Sequence, residues 1–176
     1  VVGGSPFVLV VNPAKVPATG HRDFVALLKS KPGVLNYGSS GNGTNLHLAA
    51  ELYMDQTGTK AKHIPYKGAG PMVADLMGGQ VDFAVAGLPA VMGQIRNGQL
   101  RAIGVFSPQR TPAAPDIPTI AEQGLTGFAE EAWVAVIGPK GMSPALVKKT
   151  HDAVVAAYTD PAVKEALNKQ GIVMNI

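Results

Sequence analysis

Gly38-Ser39-Ser40-Gly41-Asn42-Gly43-Thr44 places three glycines, two serines and a threonine within seven residues. Glycines reach backbone conformations that other residues avoid, while hydroxyls and amide N–H groups donate hydrogen bonds. The run Val34-Leu35-Asn36-Tyr37 precedes this stretch and the amphipathic pattern Leu46 to Tyr53 follows it, so it reads as the turn from a strand into a helix. Backed by the unpaired N–H groups of a first helical turn, such a turn aims several donors at one point and makes a site for an anion. Ser39, Ser40 and Thr44 would supply hydroxyls, Gly41 and Gly43 backbone N–H groups, and Asn42 lies in the same grip. The plainer reading is a turn that only joins strand to helix, which requires fewer donors than these.

The nature of the anion follows from what the stretch lacks. A phosphate-binding P-loop matches at Gly38 and Gly43, but Thr44 stands where its lysine belongs. The dinucleotide fingerprint matches Gly41 and Gly43 and fails at Leu46, whose side chain blocks close helix packing. A nucleophile elbow centred on Ser40 fails at Asn42. What remains is an anion cradle without a lysine, better suited to a carboxylate than to a polyphosphate.

Other reactive residues are sparse. Of His21, His47, His63 and His151, only His47 lies close to the cradle, one helical turn beyond it, where it either touches a ligand or packs and caps the helix. No two histidines have the i, i+4 spacing of a helical metal site, so no metal is expected. Tyr66-Lys67-Gly68 and Gly87-Leu88-Pro89 are further loops that could reach a ligand, with Lys67 either pairing with an anion or simply solvated. Asp75 and Asp82 read as capping or bridging groups, Glu130 and Glu131 as solvated, and Trp133 as a core or lobe-interface residue. Nothing assembles a nucleophile, a base and an orienting group, so the expectation is binding without chemistry and without a cofactor. An α/β enzyme acting on a carboxylated or phosphorylated small molecule, with Ser40 or His47 in play, is the alternative.

Composition sets the frame. The 176 residues are 46% hydrophobic and 15% charged, enough to bury a core, and no apolar run approaches the roughly 20 residues of a membrane span. The net charge of +3 is scattered and aromatics are 6%, which argues against nucleic acid as a partner. The absence of cysteine excludes thiolate chemistry and disulfides. Both ends are strand-like, Pro6 to Val11 and Ile172 to Ile176, which suggests an excised piece of a longer protein whose targeting segment lies elsewhere.

Strands and helices alternate along the chain. Strands are expected over 6–11, 34–37, 61–66, 81–86, 101–106 and 132–137. Helices are expected over 21–31, from Leu46 to about Gly58, over 71–77, from Pro89 to Asn97, from the capping box Thr119–Glu122, after Ser143-Pro144, and from Asp160-Pro161 to Gly171. Such alternation implies an α/β fold with a mostly parallel sheet flanked by helices, and ligands in such sheets bind at the carboxyl ends of the strands. The four prolines of Ser107 to Pro118 mark a boundary or an inter-lobe connection.

Several ordered blocks together resemble a known family. They are Tyr37 to Thr44 with His47 and Glu51, His63-Ile64-Pro65-Tyr66-Lys67-Gly68, Asp75 to Asp82, Leu100 to Val105, Arg110, and Ile117 to Gly124. Over practically the whole chain they are similar to the Bug family of periplasmic solute receptors, the binding proteins of tripartite tricarboxylate transporters. The resemblance implies the bilobed type II periplasmic-binding-protein fold, closing on organic acids or amino acids and presenting them to membrane permease subunits or a sensor kinase. It implies a ligand carboxylate held by one loop from each lobe, Ser39 to Thr44 matching the second-lobe loop. Residues 1–125 would then be the second lobe, with 1–12 as the inter-lobe strand, and 126–176 would return to a first lobe that is incomplete here.

Overall fold

The computed structural model describes residues 3–169 and 172–174. Its longest strand, β1 (Gly3–Val11), is Phe-Val-Leu-Val-Val over its second half, and every one of those side chains is buried. Alternation sends them to opposite faces. Phe7, Leu9 and Val11 enter one apolar layer with Phe24 and Leu28 of α1 (His21–Ser30) and Ala50 and Tyr53 of α2 (Asn45–Thr57). Val8 and Val10 enter a second layer with Met72 and Leu76 of α3 (Ala69–Met77) and Leu88 and Val91 of α4 (Leu88–Arg96). Helices therefore cover both faces of the sheet, and β1 is buried because it is central.

The strand order is β3 (Lys62–Pro65), β2 (Asn36–Ser39), β4 (Phe83–Gly87), β1, β5 (Arg101–Val105). β2 pairs in parallel with β3 and β4, whereas β1 runs antiparallel to both β4 and β5. The expected mostly parallel sheet thus holds for the direction of β2, β3, β4 and β5 and fails at β1, giving a mixed sheet. A strand buried on both faces is apolar whichever way it points, so the composition of β1 carries no sign of its direction. The first half of β1 leaves this frame and pairs instead with β6 (Glu131–Val134) and β7 (Val173–Met174).

Most boundaries fall within a few residues of the expected ones. The Thr119–Glu122 capping box forms both of its reciprocal bonds, but only a turn follows and no helix grows from it. Ser107 to Pro118 packs Ala114 and Ile117 into the second layer, and Val105 takes up an isolated bridge to Thr119. Trp133 is 72% exposed, so its expected place in a core is not realised in this chain. Two helices follow β6: α5 (Pro144–Thr159), which buries no residue, and α6 (Pro161–Lys169). The expected helix end at Gly171 and the final residues Asn175 and Ile176 lie outside the described residues. No described helix is long and apolar enough to cross a membrane.

Candidate functional site

The parallel register of β3, β2 and β4 puts their carboxyl ends on one edge, and the three expected loops lead from that edge into helices. Ser39 and Ser40 accept the N–H groups of Tyr66 and Gly68 through their carbonyls (3.0 and 3.1 Å), so the glycine loop and the Tyr66–Gly68 loop are joined. Gly87 caps α4 on the same edge, with open space where a side chain would be. Gly41 has a φ of 138° and Gly43 a φ of 72°, conformations that disfavour any residue with a Cβ.

The loop satisfies much of its own hydrogen bonding. Ser39 is completely buried, and its hydroxyl bonds His63 Nε2 (2.6 Å) and accepts the Gly41 N–H (3.2 Å). Thr44 is the N-cap of α2: its Oγ1 accepts from the His47 N–H and the Ser40 hydroxyl and donates to the Gly41 carbonyl. The Gly43 N–H donates to His47 Nδ1 at 3.0 Å. The Ser39 hydroxyl thus ties the loop to β3, and the Gly41 and Gly43 N–H groups are taken up in the loop's own bonds. Asn42 is exposed with no hydrogen-bond partner, and Lys67 is exposed with neither a hydrogen bond nor an ion pair, so both are free to meet an anion.

His47 both packs and sits at the loop. Its ring stacks on His63 with centroids 4.0 Å apart and planes 11° apart, and His63 stacks in turn on Tyr37 at 4.8 Å. Tyr37 donates its hydroxyl to Glu51, which lies 3.9 Å from His47 Nε2. Burial, reinforced by His47, holds the His63 pKa below the ordinary histidine value, with Glu51 opposing. Burial and the Glu51 bond push the Tyr37 phenol upward, so it stays neutral. Tyr66 donates to Asp75 (2.8 Å), and burial, with that bond, pushes its phenol up to about 12. Asp82 accepts the Asn36 N–H at 2.7 Å, the bridging role expected of it.

Sequence reasoning gave no role to His63, Tyr37 or Glu51. The register Tyr37↔His63 puts the two rings side by side, and only a register could have revealed it. It also missed Ser5, whose Oγ is the one buried side-chain polar atom among the described residues without a hydrogen-bond partner. No group of three or more His, Cys, Asp or Glu side chains that could hold a metal occurs among the described residues.

Comparison with known proteins decides what kind of frame this is. The model of the tripartite tricarboxylate transporter family receptor matches residues 1–175. The chain belongs to that family. The chain is also similar to BugT of Bordetella pertussis, 38% identical over 170 residues, which cover 97% of this chain and 52% of BugT. A solved structure described as a periplasmic transporter is 41% identical with a TM-score of 0.89, over 99% of this chain and 58% of that one. An R. palustris protein solved with adipate is 30% identical with a TM-score of 0.90, over 98% of this chain and 57% of that one. The chain thus spans little more than half the length of these relatives. The family is one of receptors, which decides against the enzymatic reading of Ser40 and His47.

Proposed function

We propose that this chain forms most of one ligand-gripping lobe of a periplasmic solute receptor, and that the loop Ser40 to Thr44 holds one carboxylate of a small organic acid or amino acid. The observation that carries the reading is the joined pair of loops at the carboxyl edge of β2 and β3, where Asn42 and Lys67 are exposed without internal partners. Thr44, Ser40, Tyr66 and Gly87 stand on the same edge, and Ser39 acts from beneath. The adipate bound by the R. palustris relative is a ligand of the expected class. Delivery to permease subunits, or to a sensor kinase, belongs to the same proposal and rests on the family's description.

Residues 1–125 make up the packed lobe in this reading, with 1–12 as the strand passing between lobes, and 126–176 are a returning segment that belongs partly to the other lobe. The exposed apolar side chains of that last region, Trp133, Val134, Val136, Ile137, Leu146 and Val147, are what a missing lobe would cover. Energetics then sets the affinity. Hydrogen bonds to a charged group contribute about 1.5–3 kcal/mol each, against the large loss of translational and rotational freedom. A micromolar complex needs about 8 kcal/mol net, which one water-exposed lobe does not supply. Isothermal calorimetry of this chain with a panel of dicarboxylates and amino acids should give dissociation constants of roughly millimolar, and the full-length receptor far tighter ones. Micromolar binding by this chain alone would refute the half-site reading.

A further inference from the structure

Gly43 gives its N–H to a side chain that changes its bonding when it takes a proton. A backbone N–H donates only to a nitrogen with a free lone pair, so the 3.0 Å bond to His47 Nδ1 fixes His47 as neutral with its proton on Nε2. That Nε2 points to the Glu51 carboxylate 3.9 Å away. A proton on Nδ1 would set donor against donor, and the Gly43 N–H would be released. The second ring matters as much. His63 lies 4.0 Å from His47 and nearly parallel to it, and two imidazolium rings in that position repel, so the pair takes one proton in preference to two.

The other titratable groups facing the pair are Glu51 on the same helix and Tyr37 from β2. Glu51 favours the imidazolium, and Tyr37 stays neutral. His63 is tied by Nε2 to the buried Ser39 hydroxyl, and burial reduces its proton affinity. His47 is also the more exposed end of the column, on the side of the loop.

We propose that His47, backed by His63, is a one-proton latch on the glycine loop: neutral, it holds the Gly43 N–H, and protonated, it frees that N–H for an incoming carboxylate, so that anion binding and proton uptake are coupled. The second half rests on the carboxylate reading of the loop given above. Both consequences of protonation act in the same direction, since the freed N–H is a donor for the anion and the imidazolium is a charge of opposite sign. Coupling is reciprocal, so the anion strengthens proton binding by the factor with which the proton strengthens anion binding. Affinity rises as pH falls, by at most about tenfold per pH unit for one proton.

NMR of the isotopically labelled protein, titrated from about pH 8 to 5 without ligand, should show the His47 ring and the Gly43 amide moving with one shared midpoint. A Gly43 amide that stays fixed while His47 titrates overturns the latch, as do His47 and His63 each taking a full proton independently. His47→Asn, whose side-chain oxygen can still accept the N–H but takes no proton, should leave the Gly43 amide insensitive to pH. His151→Gln, on α5, should leave the titration as it was. Adipate is the probe for coupling: it should raise the His47 midpoint by about half a unit or more at saturation and give a binding heat that depends on the buffer's ionisation enthalpy. Adipate that perturbs the loop amides without moving the midpoint overturns the coupling. Adipate that perturbs no loop amide at any pH overturns the carboxylate reading and the coupling with it, while the ligand-free titration still decides the latch.

Discussion

The two parts of this chain are built from similar material and end in different states. From β1 to Phe128, Tyr, Phe, Leu and Val side chains vanish into two layers on either side of one sheet. From β6 to α6, side chains of the same kinds stand in water: Trp133 is 72% exposed and Ile137 89%, and the sixteen residues of α5 bury none. The difference lies in what is available to pack against. β1 has strands on both sides and helices on both faces, whereas β6 has the first half of β1 as its strand partner and little above or below it. Apolar content therefore measures the capacity for burial, and a domain's worth of surrounding chain determines whether that capacity is used.

The sharpest way to break the comparison is to delete a side chain from each part. Leu9→Ala empties a fully buried position in the central strand and should lower stability by about 2–5 kcal/mol. Trp133→Ala, although it removes a larger group, should shift stability by no more than about 0.5 kcal/mol. Urea unfolding of the two variants, compared with the unaltered chain, checks both values. Equal losses would mean that the β6 region is part of the cooperative core. In a full-length protein Trp133→Ala should become costly, because the residue then has something to pack against.

The glycine loop belongs to the packed part, and its geometry is strained only where glycine permits it. A Cβ on Gly41 would have to adopt a φ of 138° and would sit 3.3 Å from the Tyr66 carbonyl oxygen that faces the loop. Gly41→Ala should therefore cost about 1–3 kcal/mol and dislodge the Ser39 and Thr44 bonds to residue 41. Thermal unfolding and binding calorimetry should both register the change. A variant that keeps full stability would show that the loop relaxes freely.

These contrasts also separate what the sequence could reveal from what it could not. The loop, the helix after it and the buried strand Pro6 to Val11 are local patterns, and local patterns survive folding. The direction of β1 is invisible in its composition, because burial on both faces calls for the same residues either way. The roles of Ser39 and His63 depend on β3 lying beside β2 in one register, a contact between residues 24 apart in the chain. Trp133 is exposed because little among the described residues packs against β6, whereas by its size alone a lone tryptophan reads as core or interface. The number of donors in the loop was legible, but which of them bond each other was not.

A smaller effect tests the same contrast at two helix starts of like chemistry. Thr44 caps α2 by accepting the His47 N–H (3.4 Å), and Ser143 caps α5 by accepting the Leu146 N–H (3.3 Å). An N-cap lost to alanine costs about 0.5–2 kcal/mol of helix stability. α2 buries Leu46, Ala49, Ala50, Tyr53 and Met54, so Thr44→Ala should lower the global unfolding free energy by that amount. α5 is not tied to the core, so Ser143→Ala should speed hydrogen exchange in α5 and leave global unfolding where it was. A global loss from Ser143→Ala would couple the two parts.

Acid should take the two parts apart in different windows, and this is the smallest of the expected effects. In the packed part, burial, with Arg22 adding to it, holds His21 below the ordinary histidine value of 6.5, and His63 is lowered as well. A histidine with a depressed folded-state pKa leaves the unfolded chain binding more protons, so stability is greatest above that ordinary value and declines as pH falls through it. In the open part, the bond from Lys148 (2.7 Å), helped by His151, depresses the Asp152 carboxyl below its ordinary 3.8. For an acid the sign places the loss lower: the pair is intact above 3.8 and disappears only as pH falls through the depressed folded value. Circular dichroism during an acid titration should therefore show the core weakening from about pH 6.5, with α5 losing its i, i+4 pair only in stronger acid. His21→Gln should flatten the first phase without touching the second. If α5 melts together with the core near neutrality, the two parts are one cooperative unit, and the exposed face of α5 needs another explanation.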